Sequence, residues 1–213
     1  MNAEQLINSM RPEVERLVSD LEMAPRMRAG EVNREQLQRL LIGEFYCQEA
    51  ELTTYGLLIT RHRHEIPAGF FGLTLHTVAK ARRMLWPAAQ SVGLEPASMT
   101  VPAAGRLGQA MSMPAMLTEP GEAALYLHSD LSVWCAVFAE LAELARDSDV
   151  VPKELIDYLA SWGSEPPPEI ADGACEVLQY ALSQGEDPER IIDFSRHQLA
   201  SSVPVYWDYV LLG

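Results

Sequence analysis

Apolar residues along this chain recur at three- and four-residue spacing and rarely alternate with polar ones. That period lines them up on one side of α-helices and not on strand faces. Alternating β-branched runs are almost absent, whereas Leu, Ala, Glu, Gln, Arg and Met are plentiful, a mix that favours helix throughout. The pattern predicts seven or eight helices. The first covers roughly 3–22, with a kink or restart at Pro12. The second starts behind Asn33, an N-cap with Gln36 three residues on, and runs to about His62. A third follows Pro67 and ends before Gly93, and a short one lies near 101–111. The fifth runs from Pro120 to about Arg146, and Pro152 opens a sixth that ends near Trp162. The run Pro166–Pro167–Pro168 is a stiff linker into a helix at about 169–184. Asp187 and Pro188 then cap and open the last helix. Long helices joined by short turns predict an all-α, single-domain helical bundle over residues 1–213.

The second helix carries the most informative polar positions. At 100° per residue, Leu37, Leu40, Leu41, Leu52, Tyr55, Leu58 and Ile59 share one stripe. Glu44, Gln48 and Glu51 fall inside it. A carboxylate on a core-facing stripe is costly unless paired, protonated or bound to metal, so this row is a candidate site. The alternative is an exposed helix edge, or acids paired with arginines.

In the last helix Asp193 and His197 stand one turn apart, a spacing that suits an acid–base dyad, a grip on one metal ion, or an ordinary surface pair. They lie at the flank of the stripe through Ile192, Leu199, Val203, Trp207 and Val210. The fifth helix presents Leu127, Leu131, Trp134, Val137, Phe138 and Leu141, with Asp130 among them and Glu140 and His128 alongside. Trp134 and Tyr55 belong to a set of aromatics that either line a pocket for a flat ligand or fill core.

Composition narrows the function. Thirty acids against 16 bases give a formal charge of −14, a field that repels phosphate backbones and anionic membranes. Neither nucleic acid nor membrane is therefore an expected partner. Three cysteines, Cys47, Cys135 and Cys175, show no metal-motif spacing and an odd count, which suits free thiols in a reducing cytoplasm. The N-terminal segment reads as no signal peptide, and no apolar run is long enough to span a membrane. Phosphate-binding glycine loops, nucleophile elbows and zinc cysteine pairs are absent from the sequence.

Three segments resemble the TenA (thiaminase II) and pyrroloquinoline-quinone synthase C branch of the heme-oxygenase-like proteins. They are REQLQRLLIGEFYCQEAEL at 34–52, WPAAQSVGL at 86–94 and IIDFSRHQLASSVPVYWDYV at 191–210. The resemblance implies a pocket inside the bundle for a small planar or heterocyclic molecule, and a homodimer or a heteromer with a related subunit. It puts Glu44 where thiaminase II proteins have a substrate-binding acid, and Cys135 near their nucleophilic cysteine. The tyrosine expected one turn after that cysteine is Ala139, and the glutamate expected near the C-terminal aromatics is Val203.

The resemblance also extends to the heme-oxygenase-like diiron oxidases. For these, Glu44, Glu140, Asp193 and His197 are the expected iron ligands, although Arg83 and Trp86 stand where that branch has Glu and His. The first helix lacks the proximal histidine of a heme oxygenase. Two functions follow from these residues. One is an enzyme of small-molecule metabolism using Glu44, Asp193 and His197, with Gln48, Glu51, Tyr55, Trp134 and Cys135 as ligand contacts and iron as the cofactor. The other is a non-catalytic binding or partner subunit that kept the fold.

Overall fold

Capping chemistry sets where the long helices begin. The computed structural model describes residues 1–95, 99, 104–112 and 118–212. The chain starts with α1 (Ala3–Ser19), capped by Asn2 and Gln5 in a reciprocal box. Asn33 and Gln36 make the same box for α3 (Arg34–Arg61), each side chain bonding the other's backbone N–H at 2.9 and 3.0 Å. His64 caps α4 (Glu65–Ser91), and Asp187 caps α9 (Pro188–Leu211). Between these lie α5 (Gly105–Ser112), α6 (Pro120–Ala145), α7 (Lys153–Ala160) and α8 (Pro168–Ser183).

The described residues form nine helices and no strand, so the all-α reading holds. The additional element is α2 (Met23–Arg28), a short helix that the 3–22 reading stops short of. Too short to show a hydrophobic period, it packs against α6 and buries Met23, Ala24 and Met27. The third predicted helix begins ahead of Pro67, at Glu65, because Pro67 falls within the first turn, where its missing N–H costs nothing. Part of the short helix expected at 101–111 lies outside the described residues; its described portion is α5.

α6 is the centre of the bundle. It packs against α1, α2, α7, α8 and α9 and is apolar nearly all round, the composition of a helix with no solvent face. α3 lies against α4, α5 and α9, and α4 against α7 and α8. The buried apolar side chains form one contiguous core. Gly43 lets α3 and α9 approach closely, since a Cβ there would stand 2.8 Å from Tyr206 Cε2. The Tyr206 hydroxyl then reaches across and donates to the Leu40 carbonyl at 2.9 Å. That contact sets the level at which α9 meets the acid row of α3.

Candidate functional site

The stripe of α3 facing α6 carries Glu44, Cys47, Glu51 and Tyr55, spaced so that all four point inward. Asp130 and Trp134 come down from α6, Thr74, Thr77 and Val78 from α4, and Phe138 and Trp162 close the far side. Together they enclose a cavity of about 30 Å³, room for about two waters. Three carboxyls, Glu44, Glu51 and Asp130, open onto it, and the described residues lining it include no Lys, Arg or His.

Glu44 is the best-anchored of the three. The Tyr158 hydroxyl donates to its Oε2 at 2.5 Å. Gln48 Nε2 donates to that same tyrosine oxygen at 2.8 Å, and more weakly to Glu44 Oε2 at 3.4 Å. The Tyr206 hydroxyl lies near as well, although its proton goes to the Leu40 carbonyl. These donors hold the carboxyl in one orientation, yet burial outweighs them and pushes Glu44 up to about 7.

Burial likewise lifts Asp130 to about 7, against the Trp134 indole, which favours its charge, and with added repulsion from Glu44. Its Oδ1 is buried with no protein partner among the described residues. Glu51 is raised well above the carboxylate range by burial first, then by Asp130 and Glu44. Three acids this close titrate together, and near neutral pH the cavity holds a mixture of protonated and ionised carboxyls. Such groups both donate and accept hydrogen bonds and exchange protons at physiological pH. Cys47, on the turn after Glu44, is pushed well above the ordinary thiol range by burial and by these acids.

The structure gathers Glu44, Glu51, Tyr55 and Trp134 around this cavity, and Gln48 stands behind Glu44, bonded to it and to Tyr158. It does not bring the other predicted residues there. Asp193 and His197 sit on the solvent face of α9 and are exposed. The flank position is what puts them outside, because the stripe through Ile192 and Leu199 takes the core. Glu140 lies at the edge of α6 in an ion pair with Arg28 of α2.

Glu44, Glu140, Asp193 and His197 therefore do not converge. Among the described residues no group of three or more His, Cys, Asp or Glu could hold a metal ion. The undescribed stretches carry none of these residue types. The donor set does not fit an iron centre. Cys135 is fully buried and faces a neighbouring cleft, where its thiol donates to the Trp162 carbonyl at 3.3 Å and burial pushes it up to about 12. It does not line the cavity that Glu44 lines.

Two residues central to the site escape a reading by stripes. Tyr158 is on α7, too short for a face to be assigned, and Tyr206 looks like one more core aromatic of α9. Asp130 does carry a sequence-level mark, an acid inside an apolar stripe like Glu44, and the same argument applied to α6 finds it.

Solved structures show the same arrangement of helices. A TenA homologue from Pyrococcus furiosus superposes with a TM-score of 0.66, covering 99% of this chain and 100% of that one at 17% identity. The fold is TenA-like, of the heme-oxygenase-like class. A TenA homologue from Pseudomonas syringae pv. tomato DC3000 agrees, with a TM-score of 0.67 at 13% identity, covering 97% of this chain and 90% of the other. So does a Shewanella denitrificans OS217 domain of unknown function with a heme oxygenase-like fold, with a TM-score of 0.66 at 11% identity over 99% and 90% of the two chains. No family model and no curated protein matches the sequence. At these identities the likeness concerns the fold, and function has to be argued from the site. No described helix of this TenA-like fold is long and apolar enough to cross a membrane.

Proposed function

We propose that the protein binds a small planar heterocycle bearing a basic nitrogen in the α3–α6 cavity, and that the acids there exchange a proton with it. The observation that carries this reading is the meeting of Glu44, Glu51 and Asp130 in an aromatic-walled cavity with no lining cation among the described residues. A protonated ring nitrogen or amine supplies the missing positive charge. It also gives Asp130 Oδ1 the partner it lacks. Trp134, Phe138 and Trp162 offer faces and edges for a flat ring.

Glu44 is the anchor, oriented by Tyr158 and Gln48 and able to pass its proton or hold it. The resemblance to the TenA branch points the same way, toward small-molecule metabolism. Free Cys47, Cys135 and Cys175 suit a cytoplasmic setting, and assembly with a second copy or a related subunit belongs to the same reading. No step passes through iron, because the donors do not meet.

The test is isothermal titration with 4-aminopyridine, a planar amine protonated on its ring. Wild-type protein should bind it, and Glu44→Gln should weaken the affinity by about tenfold or more, the scale of a lost buried charge partner. Equal affinity in the two proteins refutes the role of Glu44. A second reading, ligand binding without turnover, is favoured by one observation: the thiol expected as nucleophile, Cys135, opens onto a different cleft. Release or alteration of a bound amine by the purified chain decides against it.

A further inference from the structure

The cavity that holds the three acids has too little room for a heterocycle, and its neighbour has ample room. On the other side of one side chain lies a second cavity of about 250 Å³, walled by α4, α6 and the turn after α7. The two share three lining residues, Thr77, Leu131 and Trp162. Of these Trp162 is by far the largest and the only one outside a long helix. It follows the last turn of α7, and Gly163 next to it turns the chain in the left-handed region at φ +75°. Its indole is partly buried, edge-on to Phe138 with ring centres 6.1 Å apart and to Tyr158 at 6.5 Å. An entering ligand therefore has these two edge contacts to break before the Trp162 indole leaves its place. Its carbonyl, held by the Cys135 thiol, fixes the backbone so that the side chain is the part that moves.

We infer that Trp162 is the specificity-determining wall of the site: it divides one binding cleft into two chambers and sets how long a ligand the acid chamber admits. A ligand enters from the outer chamber, displaces the indole and places its basic nitrogen among Glu44, Glu51 and Asp130. The part that trails behind occupies the outer chamber, where Lys80 and His76 line the rim opposite Glu169. A one-ring heterocycle still needs the indole pushed partly outward, since the acid chamber with the indole in place has room for about two waters. Two or three fused rings require the indole to stay out. The inference rests on the proposed function for the identity of the ligand, but the passage past Trp162 does not depend on it.

Cys47 makes the passage measurable without a ligand. It lines the inner chamber and is 4% exposed, so a small thiol reagent must pass the residues that close the chamber, Trp162 among them. The experiment labels native protein with methyl methanethiosulfonate and follows Cys47 by peptide mass spectrometry in wild type, Trp162→Phe, Trp162→Leu and Trp162→Ala. Labelling should quicken in that order, by about tenfold or more for Trp162→Ala, if the wall sets access as pocket size sets discrimination elsewhere. Trp86→Ala, which truncates a half-buried aromatic that lines neither chamber, is the control for general loosening. An unchanged Cys47 rate in the Trp162 series, or an equal rise in Trp86→Ala, overturns the inference. The graded series keeps the test alive if Trp162→Ala fails to fold.

A second arm titrates 4-aminopyridine, 4-aminoquinoline and 9-aminoacridine. Trp162→Ala should improve 9-aminoacridine relative to 4-aminopyridine by about tenfold. Binding of 4-aminopyridine with an unchanged ratio overturns the role of Trp162 and leaves the proposed function standing. Faster Cys47 labelling with no binding of any amine confirms the passage and sinks the proposed ligand class instead.

Discussion

Replacing Glu44 with Gln should change the pH dependence of stability more than stability itself. In the folded protein burial raises the Glu44 carboxyl from 4.5 to about 7. The folded chain therefore holds this proton more tightly than the unfolded chain. Its contribution to stability is fully present below 4.5 and is lost as pH rises through 7. A shift of this size corresponds to about 3 kcal/mol between the two ends of that window, at roughly 1.4 kcal/mol per unit.

Glutamine cannot ionise and does not suffer this loss. It can still accept from Tyr158, but its amide N–H needs a partner that a protonated carboxyl does not demand, a cost of about 1 kcal/mol. At pH 4 the variant should be slightly less stable than wild type, and at pH 8.5 more stable by about 2 kcal/mol, so the curves cross. Urea unfolding followed by circular dichroism at half-unit steps from pH 4 to 8.5 measures both curves. Glu186 slopes both proteins in the same sense and drops out of the difference, whereas Asp130 and Glu51 lose the repulsion of Glu44 in the variant, which adds to its advantage at high pH. Parallel curves would refute the argument, because they would mean that Glu44 ionises in the folded protein as readily as in the unfolded chain.

Four further outcomes follow from the same geometry. Tyr158→Phe removes the hydroxyl that favours the Glu44 carboxylate, so the upper limb of the wild-type pH–stability curve should move to higher pH, read by the same urea series. Gly43→Ala should cost about 1–3 kcal/mol by thermal unfolding, because its Cβ meets Tyr206 Cε2 at 2.8 Å; a stabilised variant would show that α3 and α9 part easily. Asn33→Ala opens the capping box of α3 and should cost about 1 kcal/mol, with no change in 4-aminopyridine affinity. Ferrous iron added anaerobically should not bind stoichiometrically, since Glu140, Asp193 and His197 lie away from Glu44; bound metal that is lost in His197→Ala would restore the iron reading.

The sequence by itself determined the elements of this protein and one strip of its site. Helix starts at Asn33, Pro120 and Asp187 are local events, set by a side chain bonding a backbone group a few residues away, and the chain spells them out. The acid row on α3 is legible for a similar reason, since one helix fixes the mutual orientation of Glu44, Gln48 and Glu51 whatever it packs against.

What stands across from that row is a different matter. Tyr158 reaches Glu44 from 114 positions along the chain, and Tyr206 reaches Leu40 from 166. No spacing rule links them, because those distances are set by how α7 and α9 dock. The pair at Asp193 and His197 shows the opposite case. Its spacing suits a metal or a dyad, and a turn of α9 about its own axis is all that decides between core and solvent. The apolar stripe through Ile192, Leu199 and Val203 claims the core for itself, and burying that stripe turns the pair outward. Tertiary packing likewise decided that Cys135 and Glu44 open onto different chambers, with Trp162, a residue that no helical period singles out, standing between them.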